Sequence, residues 1–310
     1  MISEFSLINR YFKRQSNNKN ISLSIGDDCA LLAIPQGYEL AVTTDTMVEN
    51  VHFFADVESY DLGYKLLAVN LSDLAAMGAK PLAATLVLTL PQADETWLTA
   101  FAKGFFDLAE QYHVDLVGGD TASGPLTLTV QAMGLVPQGQ GLRRSTAQVG
   151  DAVCVTGLLG EAGLGLKIKQ GYDYVNPINA LNRFNRPEPR VNSGHALLGI
   201  ANACIDISDG LAGDLGHILA QSGVGACLEW DMLPLSDEVK TYIETTGDWL
   251  MPLTAGDDYE LCFTVSPEKL AELTIPYTQI GVIETEAGLR LIKNGVVQAL
   301  TNKGFEHFSR

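Results

Sequence analysis

Between residues 60 and 77, Leu62, Leu66, Leu67, Val69, Leu74 and Met77 recur at helical spacing, and Gly78 and Pro81 end the run. A second helix is expected over 94–113, where Trp97, Phe101, Phe105, Leu108 and Tyr112 line up as one apolar stripe. Between and after these helices lie runs rich in Leu, Val and Thr, at 82–90, 114–117 and 126–136, that read as strands. A short amphipathic helix over 4–12, a polar breaker over 15–20 and a strand over 38–43, ending in a polar loop, come before them. Long strands alternating with helices predict an α+β architecture rather than a plain dinucleotide-binding unit.

A domain boundary is expected at 137–150, where glycines, Pro137 and the basic pair Arg143–Arg144 interrupt the apolar pattern. This gives a first domain over 1–140 and a second over 149–310. The second half predicts strands at 151–156, into Asp206, and at 226–230, 259–265 and 279–283. Helices are expected at 161–169, 194–203 and 211–221, with the polar link NRFNRPEPR between the first two. Asn294–Gly295 supplies a two-residue hairpin turn near the end.

Charge narrows the function classes. Twenty Lys and Arg against 37 Asp and Glu leave a formal net charge of −17, so no nucleic-acid partner is expected. A nucleotide substrate stays open, but an acidic protein that binds phosphates has to bring metal ions with them. The longest uncharged stretch, 121–142, is broken by Pro125, Pro137 and several glycines, so no membrane partner is expected either. The N-terminus lacks an apolar run of signal-peptide length, which predicts a cytoplasmic protein. Cys29, Cys154, Cys204, Cys227 and Cys262 are far apart in apolar strings and are expected as reduced core residues.

The chemistry lies in where the aspartates stand. Asp27 and Asp28 in SIGDD, Asp45 in VTTD, Asp73 in NLSD, Asp120 in LVGGD, and Asp206 and Asp209 in IDISDG each follow an apolar string among Gly, Ser or Thr. AGDDYE adds Asp257, Asp258 and Glu260. Carboxylates and hydroxyls gathered this way suit a hard divalent cation such as Mg²⁺. Asp-Gly pairs also form turns and caps, and the repetition of the pattern along one chain is what favours the metal reading. Asp209 or Ser208 could cap the helix that follows, and the same helix N-terminus could hold a phosphate. The two glycines before Asp120 could likewise expose backbone N–H groups to a phosphate. The chain has no P-loop, protein-kinase signature, GxGxxG fingerprint or nucleophile elbow, so ATP use would need a different phosphate cradle.

The strings IGDDCALL, TTDTMVENVHF, AVNLSDLAAMGAKP, VGGDTASGP, LRRS, VTGLLGEAGLGL, RPEPR, IDISDGLAGDLGHI, AGDDYELCFT and GFEHF resemble, in order, those of the thiamine-monophosphate kinase family. The wider superfamily is that of aminoimidazole ribonucleotide synthetase. The resemblance implies a two-domain α+β fold, with an N-terminal sheet domain that binds ATP and Mg²⁺ and forms a dimer barrel, and a C-terminal α/β sandwich that closes over the cleft. It implies ATP-dependent phosphorylation of thiamine monophosphate to thiamine diphosphate, the last step in making that cofactor, aided by several Mg²⁺ ions. Carried over residue by residue, it makes Asp28, Thr43, Thr44, Asp45, Asp73, Asp120, Asp206 and Asp209 metal ligands. Gly119, Asp120, Arg144 and Ser208 become ATP contacts, and His52, Asp257 and Phe305 contacts to thiamine monophosphate.

Two positions depart from the family pattern: Asp257 stands where glutamate is usual, and Phe305 where tryptophan is frequent. The aspartate keeps the charge but reaches one methylene less, and the phenylalanine keeps a stacking face without an N–H donor. A phosphate acceptor is already ionised near neutral pH, so no general base is expected. Another ATP-using enzyme of the superfamily is disfavoured because no reactive cysteine precedes Cys29, and a non-catalytic regulator because the aspartates are kept. The bare strands at 82–90 and 126–136 predict sheets covered on both faces, hence a homodimer through the N-terminal domains with an interface above ~2,000 Å².

Overall fold

The structure, a computed structural model, describes residues 3–16, 18–301 and 304. The chain divides into two compact units, 1–74 with 79–139, and 75–78 with 140–310.

The first unit opens with α1 (Glu4–Leu7), continued by a π-helical turn over Ile8–Phe12, and then the short strands β1 (Ile21–Leu23) and β2 (Leu31–Leu32). β3 (Tyr38–Val48), α2 (Ser59–Ala76), β4 (Lys80–Leu90), α3 (Glu95–Tyr112), β5 (Asp115–Ser123) and β6 (Thr127–Pro137) complete it. α3 starts where Asp94 caps it by accepting the Thr96 and Trp97 N–H groups, at 2.8 and 2.9 Å. It ends at His113, which takes the left-handed conformation. α2 and α3 cross closely because Gly63 and Gly104 leave room: a Cβ on either would lie 2.1 or 1.9 Å from a carbonyl oxygen of the other helix.

The four main strands form one sheet in the order β3-β6-β4-β5, so β3 and β5 are its two edges. Alternation sorts the side chains onto two faces. Met47, Leu128, Val130, Leu86 and Leu88 are buried on one of them. The opposite face carries Thr44, Gln131, Thr85, Val87 and Asp120 in neighbouring register positions. Part of that face is covered from within the unit, where Ile21, Ala30 and Leu32 pack on Ala83, Val117 and Met133.

Two strands run further than the hydrophobic pattern predicts. β3 continues through Thr43–Val48, and β5 includes Gly118–Ser123, so Asp45 and Asp120 lie within strands and not in loops beyond them. Asp73 likewise lies inside α2.

The second unit contains β7 (Ala152–Val155), α4 (Glu161–Lys169), α5 (Ile178–Asn185), α6 (Val191–Ala196), β8 (Ala203–Asp206), α7 (Leu211–Ser222) and β9 (Gly225–Glu229). α8 (Asp237–Thr246), α9 (Met251–Thr254), β10 (Leu261–Val265), β11 (Thr278–Glu284), β12 (Gly288–Lys293) and β13 (Val296–Ala299) follow. Its sheet has the order β13-β12-β9-β11-β7-β10-β8. Val153, Ile205, Leu228 and Ile280 from the strands pack with Leu215 and Ile218 of α7 in its main core.

Cys154, Cys204 and Cys262 are buried on the neighbouring strands β7, β8 and β10. Burial pushes the Cys154 thiol up to about 12. Cys29, in contrast to the expectation from its apolar string, is exposed, and Cys227 is half-buried. Among the described residues no helix is long and apolar enough to cross a membrane.

Candidate functional site

The acidic strings fold into three places. The first is the β3 edge of the N-terminal sheet. The Thr43 hydroxyl donates to the Asp73 carboxylate on α2. Two residues on, the Asp45 N–H donates to Asn70 Oδ1 at 3.2 Å, and Asn70 Nδ2 donates to the Leu66 carbonyl at 3.0 Å. Asn70 is fully buried, so this amide ties α2 to the edge strand and fixes the backbone that carries Asp45. Sequence reasoning passed over Asn70, although it shares the NLSD string with Asp73. Thr44 points to the other face and is exposed. Just past β3, His52 Nδ1 accepts the Val48 N–H at 3.0 Å, which puts the proton of the neutral ring on Nε2.

The second place is a cavity of about 850 Å³ within the first unit, between the N-terminal segment and the open face of the sheet. Phe5, Ile8, Phe12, Leu32 and Met133 give it an apolar wall. Asp28, Gly119 and Asp120 also line it, with Lys13 as the cation of that lining. Asp28 is exposed, and its N–H is held by the Asp27 carboxylate at 2.9 Å. A volume in this range suits a nucleotide-sized ligand. Gly119 has a packing reason to be glycine: φ is +148°, and a Cβ there would lie 1.8 Å from the Leu86 carbonyl oxygen on β4.

The third place is the loop between β8 and α7 in the second unit. Asp206 ends β8 and is buried. Neither Ser208 nor Asp209 caps the helix; Gly210 occupies the cap position and makes no side-chain cap bond. Instead a side chain of the helix turns back onto the loop: Asp214 Oδ2 accepts the N–H groups of Ser208, Asp209 and Gly210 at 3.0, 3.0 and 3.1 Å. Burial pushes the Asp214 carboxyl up to about 7, with those N–H bonds and the Arg144 charge pulling the other way. Arg144 itself is exposed. The sequence signal for Asp214 was an acidic residue in the first helical turn.

Asp257 lies against the same loop: its N–H donates to the Ser208 carbonyl at 2.9 Å, and its carboxylate accepts the Tyr259 hydroxyl at 3.1 Å. Asp257 and Tyr259 both hold positive φ, +68° and +49°, the strained backbone that collects at functional loops. Their neighbours turn inward. Asp258 is buried, accepts the Gly160 N–H at 2.8 Å and has its carboxyl pushed up to about 8 by burial. Glu260 is fully buried and accepts Thr156 Oγ1, Arg183 and Arg190, each at 2.6 Å. Arg190 is the last residue of RPEPR, so that string serves as a counter-ion for the acidic one. Phe305 lies outside the described residues; Gly304 packs so tightly that a Cβ would sit 1.9 Å from the Asp209 carbonyl oxygen.

The structure thus brings Thr43, Asp45 and Asp73 together, and separately Asp28, Gly119 and Asp120. It does not bring Asp45 and Asp120 together within one chain. They stand on opposite edges of a four-stranded sheet, three strand spacings or roughly 14 Å apart. Among the described residues no three His, Cys, Asp or Glu side chains are grouped closely enough to hold a metal ion by themselves.

Comparison with known proteins gives this arrangement its context. The chain matches the AIR synthase related protein family, its N-terminal domain over residues 26–136 and its C-terminal domain over 148–293. It is 46% identical to the thiamine-monophosphate kinase of Escherichia coli K12, over 99% of this chain and 98% of that protein. The chain belongs to the thiamine-monophosphate kinase family. Among solved members, the kinase from Stenotrophomonas maltophilia K279a is 43% identical, with a TM-score of 0.83 over 89% of this chain and 92% of that one. A second structure, AaThiL complexed with AMPPCP and TMP, is 31% identical, with a TM-score of 0.81 over 89% of each chain. The two-domain fold implied by the motifs is therefore the fold of the family.

Proposed function

We propose that the protein transfers the terminal phosphoryl group of ATP to the phosphate of thiamine monophosphate, giving ADP and thiamine diphosphate. The observation that carries this reading is end-to-end similarity to a thiamine-monophosphate kinase, with the aspartate strings present at every step of the chain. The acceptor phosphate is ionised at neutral pH, so the protein's work is alignment and charge neutralisation rather than proton removal.

The donor groups fit Mg²⁺. Asp28, Thr43, Thr44, Asp45, Asp73, Asp120, Asp206 and Asp209 offer hard carboxylate and hydroxyl oxygens. Bound Mg²⁺ would neutralise the phosphate charge that builds up when two anions meet. Gly119, Asp120, Arg144 and Ser208 are assigned to ATP, with Arg144 offering guanidinium donors to a phosphate. His52, Asp257 and Phe305 are assigned to thiamine monophosphate, where a carboxylate suits the cationic thiazolium and an aromatic face suits either ring.

We further propose a homodimer closed through the N-terminal sheets, with the β5 edge of one copy beside the β3 edge of the other. Such closure leaves no open sheet edge and covers Tyr38, Leu40 and Val42, which are 46%, 40% and 52% exposed on β3. It also supports a metal site built from both chains, with Asp120 supplied by one copy and Thr44 and Asp45 by the other. The location assigned is the cytoplasm.

ADP release with thiamine monophosphate as sole acceptor tests the activity. Release that depends equally on some other acceptor, or none at all, would overturn it. Light scattering should report about twice the 33.3 kDa chain mass, and a single-chain mass with full activity would overturn the dimer.

A further inference from the structure

The loop Ser208–Gly210 is unusual in how its backbone is used. All three N–H groups converge on one oxygen, Asp214 Oδ2, at 3.0–3.1 Å. Its carbonyls are occupied as well. The Ser208 carbonyl accepts the Asp257 N–H at 2.9 Å, and a Cβ on Gly256 would lie 2.1 Å from that same oxygen. The Asp209 carbonyl has Gly304 against it. Gly210, at φ +111°, is pressed on the Thr254 backbone, where a Cβ would come within 2.7 Å. The three N–H groups of this loop are therefore not left to bind a phosphate in the manner of a helix N-terminus. What the loop has to offer a ligand is the Ser208 and Asp209 side chains.

Asp214 is 3% exposed and projects from the first turn of α7 back into the loop, where a bound anion would otherwise lie. From this geometry we infer that Asp214 is a positioning residue for the reaction. It fills the anion nest at the head of α7 with a carboxylate of the protein itself and thereby sets the direction of the Ser208 and Asp209 side chains. The same carboxylate keeps a bare phosphate out of the nest, so an anionic ligand meets this loop through its side chains and through cations they hold. The inference rests on the assignment of Ser208 to ATP and Asp209 to metal made above.

The test uses the full-length protein with Asp214→Asn, which keeps the shape, and Asp214→Ser, which keeps only a short acceptor. Hydrogen exchange of the 208–210 amides is read beside the affinity for a non-hydrolysable ATP analogue at fixed Mg²⁺. The Mg²⁺ concentration for half-maximal binding of that analogue is a third readout. Expected are at least 10-fold faster exchange at the three amides, a several-fold weaker analogue affinity and a raised Mg²⁺ requirement, in both variants. Faster exchange with unchanged affinity and Mg²⁺ dependence would reduce Asp214 to a structural brace of the loop and overturn the inference. Ser208→Ala and Asp209→Asn are the controls. If these also leave analogue affinity and Mg²⁺ dependence unchanged, the assignment of the loop falls and the inference falls with it. If only the Asp214 variants are silent, the inference alone fails.

Discussion

Placing Asp45 and Asp120 on opposite edges of one sheet makes a mixing experiment decisive. Ligands of one Mg²⁺ lie about 2.1 Å from the ion, so two of its oxygens are no more than about 4 Å apart. Strand edges roughly 14 Å apart cannot meet that condition inside one chain. Asp45→Asn and Asp120→Asn should each lower kcat on the order of 10²-fold, because charge neutralisation in the transition state is lost. In a two-fold dimer with shared sites, a mixed pair of these variants has one site with both aspartates intact and one site lacking both. Random reassortment of equal amounts makes about half the dimers mixed, so about a quarter of the wild-type sites return. The assay is steady-state ADP release before and after equal amounts of the two variants are co-refolded. Recovery from about 1% to about 25% of wild-type activity is the expected result. A mixture that shows only the mean of its parents would refute the shared site.

Three further outcomes follow from the packing and the buried charges. Gly119→Ala should destabilise the protein by about 3–5 kcal/mol in urea denaturation, since its Cβ would lie 1.8 Å from the Leu86 oxygen in a backbone conformation that only glycine tolerates. A loss under about 1 kcal/mol would refute this packing reason for the glycine. Glu260→Gln should cost about 3–5 kcal/mol, because it leaves Arg183 and Arg190 without their buried counter-charge; an unchanged melting temperature would sink this. For Asp258, whose carboxyl is raised to about 8, the folded state keeps a proton that the unfolded chain releases near pH 4. Stability therefore falls as pH rises through that window, by up to about 1.4 kcal/mol per unit, and levels off above it. Asp258→Asn, which mimics the protonated acid, should gain on wild type in melting temperature between pH 6 and 8; a constant difference would contradict the shift.

What was legible in the sequence follows the physics of burial. α3 could be read from its stripe, and β4 from an apolar run paired on both sides, because interior elements must be apolar at a fixed period. β3 and β5 were read too short for the opposite reason. Each is an edge strand that needs one partner only, so TTDT and GGDT can be extended while looking like loop. That same blur made the aspartates seem to lie beyond the strands. The role of Asp214 was out of reach because it depends on a side chain turning back across four to six residues to meet the chain before it. Glu260 and its two arginines are separated by 70 or more residues and meet only in the folded unit.

The buried cysteines give the second unit its own clock of opening. Cys29 is exposed in the first unit, three residues beyond Gly26, and should react with a thiol reagent in the native protein. Cys154 on β7 and Cys204 on β8 flank Phe263 of β10 on one face of the sheet, and Cys262 of β10 lies on the other, with burial holding all three thiols well above the usual value. They become nucleophiles only when that part of the sheet parts. A native protein blocked at Cys29 and then held in reagent would therefore acquire label at these three at the rate at which the second unit unfolds. The contribution of a nucleotide or of dimerisation to the stability of that one unit could be timed in this way, without a probe being introduced.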